Sequence, residues 1–492
     1  MYQKHQNSER LPRFARFILI AWGCLGVSMP VHAEEGNTLH WIGAGGGAMP
    51  SMNQVSLEED LRLLSRIMPQ QGRVLYGGGG DHQGVMVARR TGRMRGLLQI
   101  LGEIFSPQAG RNAFYRQTLL QVHSAFTRTN ITQALSEALE AGTLPLLFFV
   151  AAHGEKGPRP VENYLSLWSH DSLSVGDLSA LLDSASGSRM VRAVITACFS
   201  GGFADMVFHA GEESLGVGRA NRCGFFSAPW DSVSSGCDPD PVRQHHEGYA
   251  IHFLNSFAGR DRRGEVLPLE LSAIDGEAGL SMLEAHSYVR VVSSAVDVPT
   301  TTSERWLRYM APDSGRTSRV FLPEEEYVIR ELAKRLGVEG QLHRAREQFV
   351  ILEYARSKAE GHLSAIQDEE YRAYRLLAAE LLNRWPVLND PWHPDYASLI
   401  RSSGQEISHF LAASTLYAEY VHALSAHDAA ASNLDELMRR QAPYARLVRA
   451  MDTLSWAGQL KALGGPGWTR YLELLACERW VPPVQMDPHS TP

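Results

Sequence analysis

Two apolar runs separated by a helical segment limit the fold of this chain more than any other feature. Residues 143–154 read TLPLLFFVAAHG, and residues 188–202 read SRMVRAVITACFSGG. Long apolar runs of this kind are typical of strands that are covered on both faces. Between them, residues 174–185 (SVGDLSALLDSA) carry apolar side chains at helical spacing. The order strand, helix, strand predicts two parallel strands joined by a crossover helix.

The same alternation continues on both sides of this unit. Further strands are predicted in TLHWIGAGGG (38–47), GRVLYGGGG (72–80) and RCGFFSAP (222–229), and further helices in SLEEDLRLLSRIM (56–68) and NITQALSEALEAG (130–142). We therefore predict that residues 36–315 form an α/β domain in which helices cover both faces of a mostly parallel sheet.

The pattern changes after a polar, proline-containing stretch at residues 299–320, which we interpret as a domain boundary. Residues 320–480 have helical periodicity throughout and no strand signal, so they predict an all-α C-terminal module of about six helices. The role of this helical module is left open by the sequence. It could cover the active site, bind a partner or extend the fold.

The first 33 residues are typical of a secretory signal peptide. A basic head is followed by an apolar run at residues 17–27 and by a small residue, Ala33, at the expected cleavage point. The mature chain would then begin near Glu34 and be periplasmic or secreted. An uncleaved membrane anchor and lipidation at Cys24 are the alternatives.

Length and charge limit the remaining possibilities. A chain of 492 residues is longer than one ordinary hydrophobic core supports, which favours two domains. The formal net charge of −7 gives no general attraction to nucleic acid, so no nucleic-acid partner is expected.

The two apolar strands end in reactive side chains, His153 and Cys198. Because the carboxyl ends of parallel strands meet at one edge of a sheet, we expect both side chains in one crevice. A thiolate is a nucleophile, and an imidazole can take the thiol proton and later return it to a leaving amine. Gly201 and Gly202 allow a sharp turn behind the cysteine, which would expose its sulfur.

Three segments together carry a resemblance: LLFFVAAHG, VITACFSGGF and CGFFSAPWDSVSSGC. They resemble the motif blocks of the caspase–legumain clan of cysteine peptidases, in particular its secreted bacterial, legumain-like members. The resemblance implies a caspase-like three-layer α/β/α sandwich over residues 36–315. It also implies an endopeptidase that cleaves protein or peptide substrates through a thioester acyl-enzyme. A transpeptidase would use the same groups.

The resemblance also implies roles for individual residues. His153 would be the general base and acid, Cys198 the nucleophile, and the backbone N–H groups of Gly154 and Cys198 the oxyanion hole. Ser234 matches a serine that lines the substrate pocket, and Asp231 is a weaker candidate for the same pocket.

Two positions depart from the legumain pattern. Ala152 stands where legumains carry Asp, and Thr196 stands where they place a pocket acid. Specificity for asparagine is therefore not carried over.

The other candidate features are weaker. Cys223 and Cys237 lie 14 positions apart in a turn-rich segment and form a candidate disulfide, whereas Cys477 is interpreted as an inert core residue. The loop GAGGGA (43–48) imitates a dinucleotide-binding turn, but the next strand does not end in the acidic residue that this motif requires. No cofactor and no metal site are predicted. The main alternative to an enzyme is a catalytically inactive caspase-like scaffold that binds a partner.

Overall fold

The computed structural model describes residues 39–484, apart from residues 81, 83, 89–95, 106–112, 186, 268–273, 275–278, 313–314 and 392. The predicted signal peptide, residues 1–33, lies outside the described residues. So does Cys24, the alternative lipidation position.

A central sheet follows from the predicted apolar strands. The strands of the described residues are β1 (Trp41–Gly46), β2 (Gly72–Tyr76), β3 (Gly84–Ala88), β4 (Ala113–Gln117), β5 (Leu146–Glu155), β6 (Tyr164–Leu167), β7 (Asp171–Ser174), β8 (Val191–Thr196), β9 (Arg222–Phe226) and β10 (Thr300–Thr301). Strands β2, β1, β5, β8 and β9 are neighbours in that order and run parallel, and β10 pairs antiparallel with β9. The mostly parallel sheet expected from the sequence is confirmed.

Helices cover both faces of this sheet. The helices up to residue 310 are α1 (Val55–Ile67), α2 (Leu97–Phe105), α3 (Arg128–Ala141), α4 (Val175–Ser184), α5 (Tyr249–Phe257), α6 (Met282–Val292) and α7 (Thr302–Met310). Along β5, Leu147 and Phe149 belong to the core shared with α1, α5 and α6, whereas Phe148 and Val150 belong to the core shared with α3 and α4. Alternate residues of one strand therefore bury against opposite helical layers, as the uninterrupted apolar run predicts.

The C-terminal part is helical, with fewer and longer helices than expected. Within the described residues it consists of α8 (Pro323–Leu336), α9 (His343–Arg384), α10 (Tyr396–Ala413), α11 (Thr415–Leu463) and α12 (Gly465–Glu478). Helices α9 and α11 pack along each other as a long hairpin. Gly361 lies inside α9 and Pro443 lies inside α11, so neither residue interrupts its helix.

The helical part is joined closely to the sheet. The expected boundary at residues 299–320 contains β10 and α7, and α7 packs against α11, α12 and β9. The described residues all belong to one compact unit. In the part of the chain that the structure describes, no helix is both long and apolar enough to span a lipid bilayer.

A disulfide links the two parts and corrects the expected pairing. Cys223 of β9 is bonded to Cys477 of α12, with 6.1 Å between their Cα atoms, and Cys237 is a free thiol. Cys223 lies near the amino end of its strand, inside the core that α12 covers, whereas Cys237 lies in the loop beyond the other end of the strand. Cys477 lies in the buried core, as expected, but its sulfur is bonded to Cys223 and is not a free thiol.

Candidate active site at the carboxyl edge of the sheet

The register of two neighbouring strands brings His153 and Cys198 to the same edge of the sheet. Ala151 of β5 pairs with Thr196 of β8, and each candidate residue lies two positions beyond that pair. The backbone segments touch, because a Cβ atom on Gly154 would overlap the carbonyl oxygen of Cys198. Only glycine allows this close approach.

The turn after β8 presents the sulfur of Cys198 to one loop. Its Sγ accepts a hydrogen bond from the Ser234 N–H at 3.3 Å and lies 3.6 Å from the Ser234 carbonyl oxygen. The next residue, Phe199, is left-handed (φ 59°), which is strained for a bulky side chain, and its N–H donates to the Ser232 carbonyl at 2.8 Å. The loop at residues 232–234 thus holds the turn from two sides.

The contacts of His153 determine which ring nitrogen is basic. Its Nε2 lies 2.9 Å from the Met52 carbonyl oxygen and 2.9 Å from Oε1 of Gln54. A carbonyl oxygen can only accept, so Nε2 carries the proton of the neutral ring. Nδ1 therefore holds the free lone pair, and it faces the Sγ of Cys237 at 3.7 Å.

Burial keeps both members of the candidate pair uncharged. It lowers the pKa of His153 below its usual range, so the imidazole is neutral at neutral pH. It raises the pKa of the Cys198 thiol, and the charges of Asp297 and Glu155 act in the same direction. The resting pair is therefore a thiol and an imidazole, and the sulfur becomes a nucleophile only as its proton leaves.

Within the described residues the two side chains are not joined by a direct hydrogen bond. The sulfur of Cys198 contacts Ser234, while the ring of His153 contacts Met52, Gln54 and Cys237. Catalytic hydrogen bonds are often long in a free enzyme and tighten only with substrate. Cys237, a free and exposed thiol, is the side chain closest to the basic nitrogen.

A narrow cavity of about 10 Å³ lies beside Cys198, with room for at most one water molecule. Its lining residues come from α1, the ends of β5 and β8, the loop after β9 and α5: Leu57, Asp60, Ala152, Thr196, Ala197, Cys198, Ser234, Ser235, Gly236, Cys237 and Ala250. The cavity as it stands is too small for a substrate side chain.

The residues considered for the substrate pocket differ in their location and contacts. Ser234 lines the cavity, but its hydroxyl lies 2.8 Å from Oγ of Ser227 and 3.1 Å from Oδ1 of Asp297. Thr196 also lines the cavity and donates to the Val150 carbonyl at 3.0 Å. Asp231 is exposed at the surface of the turn.

The oxyanion donors stay a prediction. Gly154 pairs with Leu165 in the ladder between β5 and β6, and its backbone lies against Cys198. This location is compatible with a donor beside the sulfur.

Sequence reasoning missed two acids near the site. Asp60 of α1 is 6% exposed, its carboxylate lies 3.6 Å from Arg243, and burial raises its pKa to about 6. Asp297 lies in the loop after α6, is fully buried, and has its pKa raised by burial to about 6. The sequence predicted only a helix around Asp60, and the loop around Asp297 carried no motif.

The glycine-rich run at residues 43–48 was expected to be a loop after the first strand, but residues 43–46 lie within β1, and Gly45 has a packing explanation. A Cβ atom on Gly45 would overlap the carbonyl oxygen of Ala151, so this glycine lets β1 and β5 approach each other. Among the described residues, no group of three or more His, Cys, Asp or Glu side chains is arranged to hold a metal ion.

Comparison with known proteins assigns no family to this chain. No protein-family model matches this sequence, and no curated protein matches it.

Proposed function

We propose that this chain is a cysteine peptidase in which Cys198 is the nucleophile and His153 is the general base and acid. The observation that carries the proposal is the placement of both residues just beyond the paired ends of β5 and β8, at one edge of a parallel sheet. Reactive groups of open α/β sheets gather at this edge.

The chemistry follows from the protonation states. The proton of the Cys198 thiol passes to Nδ1 of His153 as the sulfur attacks the peptide carbonyl carbon. The tetrahedral intermediate collapses when the C–N bond breaks, and His153 gives the proton to the leaving amine. Water then attacks the thioester, with His153 again as base, and releases the acid and the free thiol. An amine in place of water would give transpeptidation.

Supporting groups around the pair favour an enzyme over an inactive scaffold. The Met52 carbonyl and Gln54 orient the His153 ring with its lone pair on Nδ1. The Ser234 N–H points at the Cys198 sulfur and would stabilise a thiolate there. A binding scaffold needs neither arrangement.

The architecture supports a caspase-like sandwich as the finer fold assignment. Five parallel strands, an antiparallel edge strand and helical layers on both faces agree with that proposal. Export to the periplasm or the exterior is likewise proposed. It is supported by the Cys223–Cys477 disulfide, because such bonds persist in oxidising compartments.

The test is cleavage of an unfolded protein substrate by the purified chain and its single variants. Cys198→Ala should abolish cleavage, and His153→Ala should slow it by about 10²–10⁴-fold. Cys237→Ala is the matched control, because it removes the second free thiol of the described residues and leaves Cys198 in place. It should retain cleavage.

The control also separates two assignments of the nucleophile. Since Cys237 lies closest to Nδ1 of His153, cleavage that survives Cys198→Ala and is lost in Cys237→Ala would transfer the nucleophile to Cys237. Cleavage that survives in each of the two single variants, Cys198→Ala and Cys237→Ala, would exclude the assignment of either thiol as the required nucleophile. Adding a peptide amine and analysing the products by mass spectrometry measures the share of transpeptidation.

A further inference from the structure

A buried carboxylate stands behind the loop that holds the candidate nucleophile. Asp297 has no exposed surface, and its Oδ1 accepts a hydrogen bond from the Ser235 N–H at 2.6 Å. The same oxygen lies 3.1 Å from the hydroxyl of Ser234. Its other oxygen, Oδ2, is buried with no hydrogen-bond partner among the described residues. Burying such a group is costly, and the backbone N–H of Tyr249, which acts to lower the pKa of this carboxyl, offsets only part of that cost.

The carboxylate is connected to Cys198 through one residue. Ser234 contacts Asp297 through its hydroxyl and Cys198 through its backbone N–H. With the Ser235 N–H also bound to Asp297, the peptide between these two serines has little freedom. This anchored peptide carries the Ser234 carbonyl, which lies 3.6 Å from the sulfur, and the Ser234 N–H of the preceding peptide is restrained through the shared Cα atom and the bound hydroxyl.

The anchor is itself held by the helical part of the chain. Arg446 of α11 is 1% exposed, and its Nε donates to the Asp297 carbonyl at 2.7 Å. The other guanidinium donors bond the carbonyls of Ser293 at 2.8 Å, Ala295 at 2.6 Å and Arg290 at 3.3 Å. One side chain thus binds several carbonyls at the end of α6 and in the loop that follows.

We propose that Asp297 is a positioning residue for Cys198, acting through Ser234 and Ser235, and that Arg446 fixes Asp297 in place. The proposal rests on the role of Cys198 given above. It assigns the helical part a function as the structural support of the site. Removing α11 would release the loop of Asp297 and disorganise the environment of the thiol.

Two effects of Asp297 on the thiol act in opposite directions, which makes the proposal testable. Its negative charge raises the pKa of Cys198, and so does the charge of Glu155. Its hydrogen bonds orient the Ser234 N–H, which lowers the same pKa. Asp297→Asn removes the charge and keeps an acceptor oxygen for the two serines. Asp297→Ala removes both.

The experiment measures the alkylation rate of Cys198 by iodoacetamide against pH, resolved by mass spectrometry of the Cys198 peptide. Asp297→Asn should lower the apparent thiol pKa and speed labelling at neutral pH by roughly three- to tenfold. Asp297→Ala should label more slowly than Asp297→Asn by a similar factor. Arg446→Lys keeps the charge of Asp297 but loosens its loop, so it should label Cys198 more slowly than the parent at neutral pH.

Glu325→Gln is the matched control, because Glu325 is a partly buried acid, paired with Arg290 between α6 and α8. It should leave the labelling profile of Cys198 unchanged while lowering the thermal midpoint. Equal profiles for Asp297→Asn and Asp297→Ala, both folded by circular dichroism, would overturn the positioning role. An unchanged profile in Arg446→Lys would overturn the part assigned to α11.

The labelling assay does not depend on peptide cleavage, so the two proposals can fail separately. If Cys198→Ala loses cleavage but Asp297→Asn and Asp297→Ala have equal labelling profiles, the peptidase proposal stands and the positioning role of Asp297 falls. If the two Asp297 variants have distinct labelling profiles but the parent chain cleaves no substrate, the positioning role stands and the peptidase proposal falls.

Discussion

Replacing both Cys223 and Cys477 by alanine should lower the free energy of unfolding by about 3–5 kcal/mol. The bond closes a loop of 254 residues between β9 and α12. In the chain-entropy model a loop of that length restricts the unfolded chain by about 5.5 kcal/mol, and measured values for native disulfides fall somewhat lower.

The assay is urea unfolding followed by far-UV circular dichroism, on the oxidised parent, the parent with reductant and the double variant. The reduced parent keeps both sulfurs, so its loss of stability reports the bond, and the further loss in the double variant reports the packing of the buried sulfurs. Cys237→Ala is the control for changing a cysteine as such, because Cys237 is a free thiol. It should unfold like the oxidised parent.

A reduced parent and a double variant that both unfold within about 1 kcal/mol of the oxidised parent would refute the reasoning. That result would mean that β9 and α12 are not covalently joined in the folded chain. It would also remove the support that this bond gives to an oxidising compartment.

Three further predictions follow from single contacts. Gly154→Ala should slow both peptide cleavage and labelling of Cys198 by about 10²-fold, because the new Cβ overlaps the Cys198 carbonyl and displaces the nucleophile; steady-state kinetics measure the first and mass spectrometry the second. Burial raises the pKa of Asp60 to about 6 from its ordinary value of 3.8, so between these pH values the native state holds a proton that the unfolded state has lost, and stability falls as pH rises. Asp60→Asn should remove that fall, on the order of 2–3 kcal/mol, in unfolding curves recorded from pH 4 to pH 7, and an unchanged slope would contradict the burial of the charge. Arg222→Met should destabilise the chain by about 3–5 kcal/mol in urea unfolding, because it leaves the carboxylate of Asp183, 2.6 Å away, without its buried partner.

Much of the sheet and part of the site could be predicted from local sequence. Apolar runs that end in His-Gly and Ala-Cys identify strands covered on both faces, and neighbouring parallel strands end at one edge. The placement of His153 and Cys198 beside each other follows from those two rules, and the register of β5 and β8 agrees with it. Ser234 was found only because it follows the next strand in a recognisable block.

In the helical part, tertiary packing outweighs local helix propensity. Gly361 and Pro443 are typical helix breakers, yet each lies inside a long helix. Packing of α9 against α11 stabilises both helices along their length, and such tertiary contacts outweigh the cost of a single unfavourable residue.

The sequence by itself determined which segments become the five parallel strands and which edge of the sheet carries the imidazole and the thiol, because hydrophobic periodicity is a local property. Only the tertiary structure decided that Cys223 bonds Cys477, that Cys237 faces His153, and that Asp297 supports Ser234. These partners are separated by 254, 84 and 63 positions. Contacts over such distances depend on how complete layers pack around a shared core, and no periodicity in the chain encodes them.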